Sequence, residues 1–335
     1  MEKVLVTGAE GLLGYHTIKQ LNEQQKIRPR GLVEVEEEEL AKFGWENLGV
    51  ETIKGSIEDL EVLQEACVGI DTVFHMKFQI SLGGGKAIEE MKQINVGGTR
   101  NLIQAATEAG VKRLVISSSC LTVGLNNKPQ PLNEAAEWNQ YKFNLPYALS
   151  RRQAEQEALA IAASSNQPII VIINPAFTMG PEDYVGAPAN LLAKLISQGK
   201  LKFNIPVGFG ILDVRDYAAG ALLAAEKGRH GQRYLLSGEN VTLSQFREKV
   251  TAIAGVKSPG FLFPVPVWLV SPVIAIIGLF SKLRGQTSLV HPTVLQLWHH
   301  YAFYESSLAQ TELGWQPRSL EETIRDSLEW MKLRE

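Results

Sequence analysis

The stretch Thr7-Gly8-Ala9-Glu10-Gly11-Leu12-Leu13-Gly14 constrains this chain more than any other. It directly follows the apolar run Val4 to Val6 and opens an amphipathic segment from about Leu12. Glycines at Gly8, Gly11 and Gly14 let the backbone turn tightly from a strand into a helix. They also let an anion approach the amides, with the positive end of the helix facing it. A glycine triplet alone is a weak signal. Set between an apolar strand and an amphipathic helix, it points to a loop that cradles a dinucleotide pyrophosphate, the other reading being an ordinary tight turn.

The chain beyond fits that opening. Apolar runs at 31–35, 50–53, 72–75, 114–117 and 169–173 are separated by helix-length stretches, the pattern of βαβ units. Met91, Ile94, Leu102, Ala105 and Ala106 predict a helix within 87–109, and residues 147–164 read as another. The fold class expected is α/β: a doubly wound, Rossmann-type parallel sheet over residues 1–175, with returning elements near 211–237. A smaller C-terminal substrate lobe is expected over 176–335, where Pro and Gly become denser.

With 335 residues and 45% hydrophobic composition, the chain can bury a core in each part. A net charge of -3 with dispersed basic residues argues against nucleic acid as a partner. Cys67 and Cys120 lack C-x-x-C spacing, so neither a disulfide framework nor a zinc site is expected. His291, His299 and His300 have no acidic or cysteine partners at metal spacing and read as packed histidines; no metal is expected. No charged n-region precedes a cleavable apolar stretch, so the protein is expected in the cytoplasm.

The segment 261–280, FLFPVPVWLVSPVIAIIGLF, carries no charge. Its length approaches the ~20 residues of a spanning helix, but Pro264, Pro266 and Pro272 would remove backbone donors from one. It reads as an apolar wall of the second lobe, with a substrate lid, a peripheral membrane patch or a span as alternatives.

Glu34 closes the second apolar run, twenty positions beyond Gly14. A carboxylate there can accept from the adenosine ribose hydroxyls and repel a 2′-phosphate, favouring NAD over NADP. Alternatively it begins the solvated acidic run that continues through Glu36 to Glu39. Tyr147 and Arg151, four apart at the start of a helix, share one face. A phenol beside a fixed cation can act as acid or base for a carbinol/ketone pair. Ser117, Ser118 and Ser119 follow the fifth strand, at the C-terminal sheet edge where doubly wound folds hold ligands.

These residues, with NVGGTRNL at 95–102, SSSCLTVG at 117–124, YALSRRQAE at 147–155, NPAFTMGP at 174–181, DVRDYAAG at 213–220 and the closing ELGWQPRSLEETIRD, cover nearly the whole chain. In them the sequence resembles the extended short-chain dehydrogenase/reductases, in the branch similar to dihydroflavonol-4-reductases, 3β-hydroxysteroid dehydrogenases and hopanoid-associated epimerases. The resemblance implies Ser119 as the hydroxyl that polarises substrate and Tyr147 as the proton donor or acceptor. It implies Asn95 as the helix-bending, water-holding residue, and Asn174 and Pro175 near the nicotinamide. Where the family often has an acidic residue for the adenine amine, this chain offers Ser56 and the backbone of Ile57.

Two departures stand out. The family's Tyr-x-x-x-Lys is Tyr147-x-x-x-Arg151 here; Arg keeps the charge and can bond a ribose hydroxyl but cannot release a proton. His75-Met76-Lys77-Phe78 stands where the family has small alanines after the histidine, placing Met76 and Lys77 near the cofactor. Lys77 could then supply the ammonium that Arg151 cannot, or it could be a snorkelling surface lysine. The function expected is NAD(H)-dependent interconversion of a secondary alcohol and a ketone on an apolar, polycyclic or long-chain substrate. That expectation rests on segment 261–280 and on Phe177, Met179, Phe203 and Phe209 as an apolar pocket. A sugar-nucleotide epimerase or dehydratase is one rival, weakened because residues 175–210 contain no Arg to grip a second pyrophosphate. A cofactor-binding sensor or scaffold without turnover is the other. A homodimer is also expected.

Overall fold

In a computed structural model that describes residues 2–25, 27–45, 49–81, 85–139, 145–201, 204–257 and 300–334, the apolar runs become strands of one parallel sheet. The strands are β1 (Val4–Thr7), β2 (Arg30–Val33), β3 (Glu51–Lys54), β4 (Thr72–His75), β5 (Arg113–Ser117), β6 (Ile169–Pro175) and, later in the chain, β9 (Arg233–Leu236). Their order is β3-β2-β1-β4-β5-β6-β9. Strands that alternate sides put Val4, Val6, Phe74, Val115, Val171 and Ile173 into one core, and Leu5, Val73, Leu114, Ile116, Ile170 and Ile172 into the other. Burial on both faces is why these runs read as continuously apolar instead of alternating.

The helices are α1 (Leu12–Gln25), α2 (Glu37–Leu40), α3 (Leu60–Cys67), α4 (Lys86–Lys92), α5 (Thr99–Glu108), α6 (Pro146–Ser164), α7 (Pro188–Ser197), α8 (Val214–Lys227), α9 (Leu243–Ala254) and α10 (Leu320–Lys332). The helix expected over 87–109 is interrupted: Gln93–Gly98 forms a π-helical turn between α4 and α5. A π turn adds a residue that a 3.6 period does not reveal, and such turns gather at functional sites. The chain crosses from β3 to β4 on the far side of β1, so the C-terminal ends of β1 and β4, paired through Thr7 and His75, flank the crevice where the strand order reverses.

A second sheet stands beyond the first. In it β8 (Gly208–Asp213) pairs with β7 (Phe177–Met179), β10 (Asn240–Thr242) and β11 (Tyr301–Ala302). The element at 208–213 therefore belongs to this smaller sheet, while β9 rejoins the large one. Met179 is fully buried in the core, so it does not wall a pocket as expected. The segment 261–280, Phe203, His291 and His299 lie outside the described residues. Among the described residues no helix is long and apolar enough to cross a membrane, and no group of His, Cys, Asp or Glu could hold a metal. Cys67 and Cys120 are both free and buried.

Candidate active site

The glycine loop takes the geometry its spacing predicts. Gly8 has φ of +64°, and a Cβ there would lie 2.7 Å from the Lys77 Cα. A Cβ on Gly14 would lie 2.2 Å from the Gly8 carbonyl oxygen, so helix α1 can start this close to the loop only with glycine. The Gly11 amide donates to the Gly8 carbonyl at 3.0 Å, and Leu12 and Leu13 bury their side chains as α1 opens. The loop, Glu34, Ile57 and Lys77 border one cleft, with Leu32 and Gly55. Glu34 directly follows β2 and is an exposed carboxylate that is ion-paired at the cleft edge. It accepts from Lys77 Nζ and, at 3.4 Å, from Ser56 Oγ. The side chain of Ile57 is fully buried, so only its backbone can face a ligand.

Behind the cleft runs a chain of buried hydrogen bonds. Thr99 Oγ1 donates its one proton to the Asn95 carbonyl at 2.7 Å, so it must accept from His75 Nε2 at 2.9 Å. His75 Nδ1 is then the bare nitrogen and accepts from Thr7 Oγ1 at 2.8 Å. This ties the strand that feeds the glycine loop to the π turn. Burial first, and the Arg151 charge second, push the His75 pKa down to about 3; burial pushes His16 down to about 4. Both stay neutral in the native state, whereas the unfolded chain takes up protons below the ordinary value of 6.5. Stability is therefore expected to be full above about pH 6.5 and to fall as the pH drops toward 4. Urea midpoints at pH 7.5 and 5.0 should differ, and the difference should shrink in His16→Gln; equal midpoints in the wild type would refute the linkage.

Asn95 lies on the π turn, as its helix-bending role implies, but its amide is spent on protein groups. Oδ1 accepts from the Gln79 amide at 2.8 Å, and Nδ2 donates to the Gln79 carbonyl at 2.9 Å and to Ser150 Oγ at 3.0 Å. Ser150 in turn donates to the Tyr147 carbonyl at 2.9 Å, so Asn95 fixes the start of α6. In this geometry Asn95 clamps the backbone at Gln79 to the start of α6.

Arg151 is 2% exposed. Its Nη2 donates to the Ser117 carbonyl, while its Nε and Nη1 are buried and have no protein partner. A buried guanidinium with two idle donors is costly unless a ligand accepts from them. Such a pair of donors suits a dinucleotide: Arg151 could donate to ribose hydroxyls at the inner end, with the glycine loop for the pyrophosphate and Glu34 at the outer end. Burial lowers the Arg151 pKa, opposed by the charges of Tyr147, Glu155 and Tyr217. Burial raises the pKa of the half-buried Tyr147, opposed by the Arg151 charge and the Ser119 hydroxyl. The phenol is held in its acid form beside a cation that steadies it once the proton leaves.

Ser119 caps the turn Cys120–Thr122, its Oγ accepting from the Leu121 amide at 3.2 Å. Met76 is buried at the end of β4 and accepts through sulfur from the Tyr217 hydroxyl. Asn174 Nδ2 donates to the Ser119 carbonyl, to Thr122 Oγ1 and to Glu155 Oε2, and leaves its Oδ1 unpaired beside Pro175.

Lys77 is not where a substitute catalytic ammonium would have to be. Its Nζ pairs with Glu34 and lies 3.4 Å from Glu10 Oε1, at the glycine-loop end. Among the described residues no ion pair or hydrogen bond joins it to Tyr147 or Arg151. The side chain at Arg151 is instead Phe78, which sequence reasoning missed: its ring lies 5.4 Å from the Arg151 Cζ and 6.3 Å from the Tyr147 ring. The departure from small residues at 76–78 was the available signal. Glu155, also missed, is 1% exposed and gathers Ser118, Thr122, Asn174, Arg152 and Arg233 around one carboxylate.

Next to the Ser119 turn, Leu121, Leu125, Phe177, Val207, Gly208, Phe209, His300 and Ala302 line a hollow to which, among the described residues, no Asp, Glu, Lys or Arg contributes. Phe177 and Phe209 meet there with ring centres 5.8 Å apart.

The profile of the NAD dependent epimerase/dehydratase family matches residues 4–237. The chain is 29% identical over 331 residues to a putative dihydroflavonol 4-reductase of Synechocystis, covering 98% of this chain and 94% of that one. It is 27% identical over 332 residues to sterol demethylase protein B of Methylococcus capsulatus, covering 98% of each. The crystal structure of gox2253 superposes with a TM-score of 0.84 at 30% identity, covering 100% of this chain and 99% of the other.

Proposed function

We propose that this chain, which belongs to the NAD-dependent epimerase/dehydratase family and is an NAD-dependent oxidoreductase, interconverts a secondary alcohol and a ketone on an apolar, polycyclic or long-chain substrate. The observation that carries the substrate class is the mainly apolar hollow beside Ser119, walled by Leu121, Leu125, Phe177 and Phe209. An apolar body gains there by leaving water, while a nucleotide diphosphate would find no Lys or Arg among the described lining residues to neutralise it. The stretch 175–210 supplies no arginine, and among its described residues only Lys194 and Lys200 are cationic. Relatives named for a dihydroflavonol and for sterol demethylation point the same way.

Held by the glycine loop, Glu34 and Arg151, NAD(H) would supply the hydride chemistry at the carbinol carbon. The chain's own residues manage the oxygen. Ser119 Oγ orients the carbonyl, and Tyr147 gives its phenolic proton to that oxygen in reduction or takes it back in oxidation. Arg151, beside the phenol and bound to the Ser117 carbonyl, steadies the phenolate that forms and stays protonated throughout. Asn95 holds the helix that carries both.

Incubating the protein with NADH and a panel of carbonyl compounds tests this. NADH oxidation is expected with bulky apolar ketones and not with nucleotide sugars. Conversion of a nucleotide sugar without net loss of NADH would transfer the reading to the epimerases, and tight NADH binding with no ketone reduced would favour a sensor.

A further inference from the structure

A carboxylate in a pyrophosphate loop works against its ligand, and this loop carries one. Glu10 stands between Gly8 and Gly11, and its side chain is only 13% exposed. Its Oε1 lies 3.4 Å from Lys77 Nζ, and its Oε2 is buried without any partner. The second carboxylate at the cleft, Glu34, accepts from the same ammonium. Lys77 cannot easily leave: its backbone packs on Gly8, its amide donates to Thr7 Oγ1 at 3.4 Å, and its side chain is 18% exposed. The nearest other acidic residue of the run, Glu36, is matched separately by Lys54 at 2.5 Å. The cleft lined by Gly8, Glu10, Leu32, Glu34, Gly55, Ile57 and Lys77 thus holds two carboxylates and a single ammonium.

We propose that Lys77 is the counter-ion that lets a phosphate loop bearing Glu10 accept an anionic dinucleotide, and that Glu34 holds this ammonium so that it does not serve a 2′-phosphate. Without Lys77, Glu10 would face the pyrophosphate and Glu34 the adenosine ribose uncompensated, in a partly desolvated cleft where charges interact more strongly than in water. With it, the loop keeps a residual single negative charge, offset by the amides at the start of α1. The pairing also gives Lys77 a role in cofactor choice. As long as Glu34 is ionised and bonded to it, the ammonium is engaged and the cleft repels a 2′-phosphate. Neutralise Glu34, and the same ammonium becomes a ready partner for that phosphate. This inference rests on NAD(H) binding at the glycine loop, which wild-type titration tests by itself.

The measurement is equilibrium binding of NADH and NADPH to the unliganded protein, read by nucleotide fluorescence, with thermal melting of each variant as a check of folding. Lys77→Met is expected to weaken NADH binding about tenfold, and Glu10→Gln on top of it to recover most of that loss. Glu10→Gln alone is expected to bind NADH at least as tightly as wild type, which keeps the idea testable should Lys77→Met fail to fold. Glu34→Gln is expected to tighten NADPH binding about tenfold, a gain that Glu34→Gln/Lys77→Met loses. Three results would overturn the inference: unchanged NADH affinity in Lys77→Met, no recovery in the Lys77→Met/Glu10→Gln pair, or a NADPH gain that persists without Lys77. If wild type binds neither nucleotide, it is the dinucleotide reading that fails and not the charge pairing.

Discussion

Tyr147→Phe is expected to lower turnover of a verified substrate by about 10²–10⁴-fold while leaving NADH affinity within about threefold of wild type, the range for losing a positioned acid or base. The separation follows from where the groups sit. The phenolic oxygen is the only part of Tyr147 removed, and the ring keeps its place near Phe78, at 6.3 Å between ring centres. The other groups proposed to hold the cofactor are untouched: the glycine loop and Glu34 at one end, and the idle nitrogens of Arg151 at the other. Arg151 cannot stand in for the lost proton, because a guanidinium does not deprotonate in this range. Nor can Lys77, whose ammonium is engaged by Glu34 and Glu10. Fluorescence titration and single-turnover kinetics on the same preparation read both quantities. A Tyr147→Phe enzyme that works at the wild-type rate would reduce this tyrosine to a packing residue at the start of α6.

What the sequence made legible was whatever depends on local pattern. Strands buried on both faces read as apolar runs, so β1, β4 and β6 fell within a residue or two of their places. The loop glycines read correctly because each answers a nearby steric demand, as Gly14 does against the Gly8 carbonyl. Tyr147 and Arg151 were visible as a pair four apart on a helix. What depends on distant partners was not visible. The π turn at Asn95 sits inside a helical period that it barely disturbs, so that only the family resemblance implied a bend there, and only the fold brings Gln79 and Ser150 to that amide. Lys77 lies 43 positions from Glu34 and 67 from Glu10, so its side chain could be assigned to catalysis or to solvent with equal ease. Met179 looked like a pocket residue by composition, yet pairing of β7 with β8 turns it into the core.

Glu155 is the extreme case, and its removal carries the largest expected effect on stability. Nothing in the run following Arg151 marks it as special, because all its partners but Arg152 come from three other places in the chain. Oε2 accepts from Ser118 Oγ at 2.7 Å, Thr122 Oγ1 at 2.7 Å and Asn174 Nδ2 at 2.8 Å. Oε1 lies 2.9 Å from both Arg152 Nη1 and Arg233 Nε. Arg152 and Arg233 are mostly covered as well, with side chains 21% and 13% exposed, while the carboxylate is fully buried. Truncating the carboxylate would leave two guanidinium groups and three neutral donors without their acceptor in the interior. Breaking a buried ion pair by removing one partner costs about 3–5 kcal/mol, well beyond what deletion of a surface pair does. Glu155→Ala is therefore expected to lose about 3–5 kcal/mol in urea unfolding, a large share of the stability of an ordinary domain. Glu155→Gln should lose less, since an amide keeps one acceptor for Ser118 and Thr122 but turns a donor toward the arginines. The same carboxylate fixes Asn174 and the Ser119 turn, so a folded Glu155→Gln enzyme should show a lowered kcat with NADH affinity little changed. A loss below about 1 kcal/mol in Glu155→Ala would mean that water or side-chain rearrangement satisfies these groups, and that the network is not what holds the turn beneath Tyr147.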